Sequence, residues 1–152
     1  MILPVESKPF KLAQNMFLLD TNVISELKKR PPNAGVIKFF EKLQESKKTF
    51  FISAITQGEL LAGVEKLYQR NDIEQAKRYE QWIHLFLDTY QPNILDFNQE
   101  CAKVWATLMG KNNQNPIDKQ IGATALVYDL TLVTRNIKHF SDTPVQLLNP
   151  FY

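Results

Sequence analysis

Short apolar runs alternate along the chain with stretches whose apolar positions recur every three to four residues. The first pattern is that of buried strands, the second that of amphipathic helices. Phe17-Leu18-Leu19 ends abruptly in Asp20-Thr21-Asn22, so Met16–Asp20 is expected as a first strand. Thr21–Lys29 reads as a short helix with Thr21 or Asn22 as N-cap, stopped by Pro31-Pro32. Asn33 can cap the next helix, with Val36, Ile37, Phe40 and Leu43 at helical spacing. Thr49–Ile52, rich in β-branched and aromatic residues, is a second strand.

A long helix starting at Ser53 or Thr56 carries Leu60, Leu61, Val64, Leu67 and Tyr68. Another opens at Asp72, and its stripe of Tyr79, Trp82, Ile83, Phe86 and Tyr90 is read as core or subunit interface rather than a platform for nucleobases. Ile94–Phe97 is a third strand, followed by a helix from Asn98 to Met109. Gly110 and the polar run Lys111–Asn115 are expected to end it in a loop. Pro116 then sits at the start of a helix over Ile117–Tyr128, where Gly122, Ala123 and Ala125 are small enough to admit another backbone. Thr131–Thr134 and Val145–Leu148 complete five strands. Strands alternating with helices imply an α/β fold, a mainly parallel five-stranded sheet flanked by helices on both faces. Right-handed crossovers bring every strand's carboxyl end to one edge, where ligands bind in such sheets.

A chain of 152 residues suits one domain, expected here as residues 16–152. Met1–Asn15 is an arm of unassigned role; Pro4, Glu6, Lys8, Pro9 and Lys11 interrupt any apolar core of a signal peptide. No apolar run approaches the roughly 20 residues of a membrane span. The single cysteine, Cys101, excludes an internal disulfide and points to a reducing, cytoplasmic setting with the thiol as a small buried hydrophobe. A net charge of +2 does not by itself advertise a nucleic-acid binder, although a basic rim can surround an acidic site.

Four polar features converge on the carboxyl edge of this sheet. Asp20 ends the first strand, Glu59 lies early in the helix after the second, Asp118 lies in the first turn of the helix after Pro116, and Thr134-Arg135-Asn136 ends the fourth strand. Each acid alone also suits a capping or helix-dipole role. Together they repel one another, and a cation offsets that repulsion. Oxygen donors without nearby His or Cys select hard ions such as Mg²⁺ or Mn²⁺. Such a site suits metal-assisted hydrolysis of a phosphodiester, with no protein nucleophile.

The segments Phe17–Glu26, Ser53–Leu60, Pro116–Ala125, Leu132–Asn136 and Leu147–Pro150 occur in the order and spacing of PIN domains, and the chain resembles most the VapC/FitB type of toxin–antitoxin ribonucleases. The resemblance implies a PIN-like fold and Mg²⁺- or Mn²⁺-dependent endoribonuclease activity. It implies that Asp20, Glu59 and Asp118 are the metal-binding acids and that Asn136 occupies the fourth acidic position, where its neutral amide contributes less to metal affinity. Asn22 and Thr134 are expected to hydrogen-bond the acids or the metal's waters, and Lys119 and Arg135 to contact phosphate. His139 falls where relatives often carry Asp and reads as a surface or packing residue. A homodimer and a cognate antitoxin are also implied, with operator DNA engaged only through the antitoxin. The apolar helices Leu60–Tyr68 and Tyr79–Tyr90 are the surfaces expected for both.

Two other readings compete. In one, the neutral Asn136 leaves a catalytically weak scaffold that works as a binding module for antitoxin and DNA. In the other, Asp20 is a phosphatase or receiver nucleophile. The phosphatase pattern needs a second Asp where this chain has Asn22, and a receiver domain wants a paired acid before the strand.

Overall fold

A computed structural model describes residues 16–152. The expected arm over residues 1–15 lies outside the described residues. Five strands, β1 (Phe17–Leu19), β2 (Phe50–Ser53), β3 (Ile94–Leu95), β4 (Thr131–Val133) and β5 (Leu147–Leu148), form one sheet in the order β3-β2-β1-β4-β5. Every pairing is parallel. The connecting helices are α1 (Thr21–Glu26), α2 (Ala34–Glu45), α3 (Ala54–Gln69), α4 (Ile73–Tyr90), α5 (Gln99–Lys111) and α6 (Pro116–Val127).

The two-residue period of a strand sorts the core into two layers. Leu19, Ile52 and Val133 pack with Val23, Val36, Leu60, Val64, Ile83 and Phe86 of α1–α4. Leu18, Phe51 and Leu132 face the other way, onto Cys101 of α5 and Ile121 and Ala125 of α6. Central β1 is therefore covered on both sides, which is why its residues read as a continuous apolar run. Fully burying each of these leucines contributes about 1.5–3 kcal/mol. Cys101 is fully buried, as expected of a small hydrophobe. Ile83 and Phe86 of the α4 stripe are likewise core, with Leu87 buried beside them. Among the described residues no helix is long and apolar enough to cross a membrane.

Several boundaries differ from expectation. Neither Thr21 nor Asn22 is the cap of α1; the cap is Asp20, whose side chain accepts from the Thr21 backbone N–H. Ser53, not Thr56, caps α3, accepting from Ile55 N at 3.0 Å. β3 and β5 are only two residues long, and α1 stops at Glu26 rather than Lys29. Gly110 does not end α5: the helix runs through it to Lys111. The left-handed residue in this region is Asn115 (φ 54°), which re-aims the chain directly into Pro116. At Gly122 the close neighbours are the Phe140 ring and Val145 side chain rather than another backbone.

Gly35 has the tightest surroundings. A Cβ there would stand 2.1 Å from the Pro150 carbonyl oxygen and 2.6 Å from the Tyr152 ring. The same chain end is held by Asn33, which donates to Tyr152 O and accepts from Tyr152 N. Gly35→Ala is expected to expel this C-terminal segment and cost about 1–3 kcal/mol, read as a lower urea midpoint. An unchanged midpoint contradicts the docking of the chain end on α2.

Candidate active site

Asp20 stands where β1 hands over to α1, 2 % exposed. Its backbone N–H continues the β1–β4 ladder to Val133 O at 2.9 Å. One carboxylate oxygen, Oδ1, accepts from Thr21 N at 2.7 Å. The other, Oδ2, accepts from the Thr134 hydroxyl at 2.7 Å and from Asn22 Nδ2 at 3.3 Å. Asp20 is thus both a helix cap and the centre of a polar cluster. Burial pushes its carboxyl up from 3.8 to about 6. The Thr134 hydrogen bond works against this, the charge of Asp118 adds to it, the Thr21 N–H lowers it and the charge of Glu59 raises it. The other two acids thus lie near enough to be felt at Asp20.

Adjacent strand ends are tied together here. Asn22 Oδ1 accepts from Arg135 N at 3.1 Å, so α1 and the loop after β4 share one side chain. Thr134 Oγ1 also accepts from Asn136 N at 2.9 Å. Asn136 opens a 3₁₀ turn over Ile137–Phe140. With Arg135, Lys138, His139 and Asn149 it lines a pocket of about 300 Å³. The Arg135 guanidinium lies 4.7 Å from the centre of the Phe151 ring.

Glu59 accepts a hydrogen bond from the Thr21 hydroxyl, which also lies 3.2 Å from the buried Thr56 hydroxyl. Asp118 Oδ2 is met by His139 Nδ1 at 2.5 Å. His139 is therefore not a mere surface or packing residue. Its side chain is 40 % exposed and reaches an acid 21 positions away. A His-Phe pair on a short polar turn gives no periodic signal of this. Thr21 and Thr56 were likewise not singled out as partners of Glu59; only their place in the first turns of α1 and α3 hints at it.

Lys119 departs furthest from expectation. It does not face a substrate: it is 1 % exposed, and its ammonium donates to Asn112 O at 2.6 Å and Gln114 O at 2.8 Å. Asp142 Oδ2 lies 3.6 Å away. Lys119 fastens the loop before α6 and so holds the start of the helix that carries Asp118.

Among the described residues, no three Asp, Glu, His or Cys side chains stand close enough as they lie to enclose an ion. Thr21 holds Glu59 and His139 holds Asp118. The donor chemistry nevertheless fits a hard cation, because Asp20 is a buried carboxylate destabilised by two further carboxylates.

A two-faced parallel α/β sheet with acids gathered at its carboxyl edge defines the class. The PIN-domain family profile matches residues 17–145, and the chain belongs to the PIN-domain family. It is 32 % identical over 142 residues to the toxin FitB of Neisseria gonorrhoeae, covering 90 % of this chain and 99 % of that one. It is 29 % identical over 143 residues to the VapC ribonuclease Y4jK of Sinorhizobium fredii, covering 90 % and 98 %. Among solved structures, VapBC2 of Rickettsia felis bound to a promoter DNA fragment superposes with a TM-score of 0.71 at 26 % identity, covering 88 % of this chain and 98 % of that one.

Proposed function

We propose that this chain is a metal-dependent endoribonuclease toxin that hydrolyses RNA phosphodiesters and is neutralised by a cognate antitoxin. The observation that carries the reading is Asp20 at the β1 end, raised to about 6 first by burial and further by the charges of Asp118 and Glu59. A cleft that concentrates negative charge in this way suits a divalent cation and, through it, a phosphate. Asp20, Asp118 and Glu59 would hold Mg²⁺ or Mn²⁺. When bound, such an ion supplies Lewis-acid activation of water and neutralises charge growing on the phosphoryl oxygens.

The remaining work falls to the chain. Thr134 and Asn22 orient Asp20 through its Oδ2. His139 orients Asp118, and Thr21 orients Glu59. Asn136, neutral and beside Thr134, positions water or a phosphate oxygen, and exposed Arg135 meets the RNA backbone. A homodimer and an antitoxin belong to the same reading, with operator DNA reached through the antitoxin. The relatives named FitB and VapC, and a VapBC2 assembly on promoter DNA, support it. α4 offers apolar surface for an interface, with Leu85 69 % exposed.

The test is cleavage of a tRNA, rRNA and mRNA panel by the purified, antitoxin-free chain. Cleavage should require Mg²⁺ or Mn²⁺, stop with EDTA and be lost in Asp118→Ala. Induction in cells should arrest growth, and Asp118→Ala should relieve the arrest. The binding-module alternative, favoured only by the missing charge at Asn136, predicts no cleavage of any RNA and no relief.

A further inference from the structure

A basic trench begins one turn of α1 from the acidic rim. Thr21, bonded to Glu59, is followed at i+4 by Ser25 on the same face of α1, and Lys28 stands in the turn just beyond the helix. Gln75, Arg78 and Tyr79, from the amino-terminal half of α4, form the facing wall. A cleft of about 370 Å³ is lined by Ser25, Lys28, Lys29, Gln75 and Tyr79. It shares Lys28 and Gln75 with a deeper cleft of about 530 Å³, which adds Arg30, Arg78 and Trp82.

The charge of this trench is unbalanced. Lys29 pairs with Glu26 at 3.0 Å. Among the described residues no carboxylate stands within ion-pair distance of Lys28, Arg30 or Arg78. The Lys28 ammonium lies 3.7 Å from the centre of the Tyr79 ring. Burial first, and then the charge of Arg78, pull its pKa below the usual lysine range. Cations held together without counter-charge call for a multiply charged anion.

We propose that the α1–α4 trench is a binding subsite for single-stranded RNA, in which Lys28 and Arg78 hold two backbone phosphates on one side of the bond presented to Asp20, Glu59 and Asp118. The inference rests on the ribonuclease reading for its choice of anion. RNA fits better than an acidic peptide because Ser25, on the trench wall, lies one turn of α1 from Thr21, the residue bonded to Glu59. The trench walls also include Tyr79 and Trp82, both half-buried against the core. Trp82 also stacks on Phe86 (5.4 Å, 14°), so the ring that lines the cleft is held in place.

The experiment measures binding of a short fluorescein-labelled single-stranded RNA to the full chain carrying Asp20→Asn, by anisotropy at several salt concentrations. Adding Lys28→Ala and Arg78→Ala should weaken binding roughly tenfold at low salt. It should also flatten the log–log salt slope by about 1.4, two phosphates at about 0.7 each. Lys38→Ala with Lys42→Ala, on α2, should change neither quantity. Unaltered affinity and slope in the Lys28/Arg78 pair, or no RNA binding by the Asp20→Asn parent, overturns the proposal. So does a polyglutamate peptide that displaces the RNA more effectively than unlabelled RNA does. Cleavage by the unsubstituted chain is assayed in parallel. Loss of binding without cleavage by that chain fails the ribonuclease reading alone, and cleavage with binding unchanged fails the subsite alone.

Discussion

Asp20→Asn is expected to abolish RNA cleavage and, at pH 7.5, to make the metal-free protein more stable. The carboxyl is about 6 in the fold against an ordinary 3.8. Between those values the folded state keeps a proton that the unfolded chain has released. The group's contribution to stability is therefore greatest at low pH, declines as pH rises through that window, and is a full penalty above it. Roughly two pH units correspond to about 3 kcal/mol. Asparagine carries no charge to desolvate, but its amide nitrogen donates and accepts nothing, so only one of the bonds from Thr21 N and Thr134 Oγ1 to the two carboxylate oxygens is kept. A net gain of about 1–2 kcal/mol at pH 7.5 remains, and it should shrink at pH 4.5, where the wild-type carboxyl is largely protonated. Urea denaturation at the two pH values checks this. A gain equal at both contradicts burial as the cause. Cleavage should fall by at least about a hundredfold. Mn²⁺ or Mg²⁺ should raise the melting temperature of the wild type and leave that of Asp20→Asn unchanged, because only a bound ion stabilises by linkage.

Lys119→Ala is expected to be the most destabilising of these substitutions, by about 3 kcal/mol or more. The side chain is buried, and its ammonium bonds two loop carbonyls and faces Asp142. Removing it strands those carbonyls and leaves a void where a long aliphatic stem was packed. Lys119→Met restores the stem but not the donors, and should recover only part of the loss. Thermal denaturation measures both variants. A phosphate-contacting lysine predicts the opposite pattern, with stability intact and a raised KM in the cleavage assay. Because Asp118 is the neighbouring residue, the folded fraction of Lys119→Met should also bind Mn²⁺ more weakly, an effect that Asp142→Asn should share in milder form.

These two sites differ in how far they were legible beforehand. Asp20 is conspicuous because a three-residue apolar strand ends on it, and a carboxylate at a parallel strand's carboxyl end has few bland roles beyond capping. Lys119 sits one residue beyond an equally conspicuous acid, and adjacency alone suggested the same environment. Successive helical residues point about 100° apart, so Asp118 faces the rim while Lys119 turns under the loop. Gly110 misled for a related reason. Glycine permits a left-handed helix end but does not compel one, and here Asn115 makes the turn.

The sequence by itself determined the alternation of strands and helices and which of their faces are apolar. It also placed Asp20, Glu59, Asp118 and Asn136 at strand ends or early helix turns, because these features follow from local periodicity, caps and prolines. Only the tertiary structure decided that β1 lies at the centre of the sheet and that His139 answers Asp118. The bridge from Thr21 to Glu59, the inward turn of Lys119 and the placing of Lys28 and Arg78 on one cleft were decided there too. Those relations join residues as distant in the chain as Leu19 and Val133 through packing and mutual orientation. No window of local sequence carries that information.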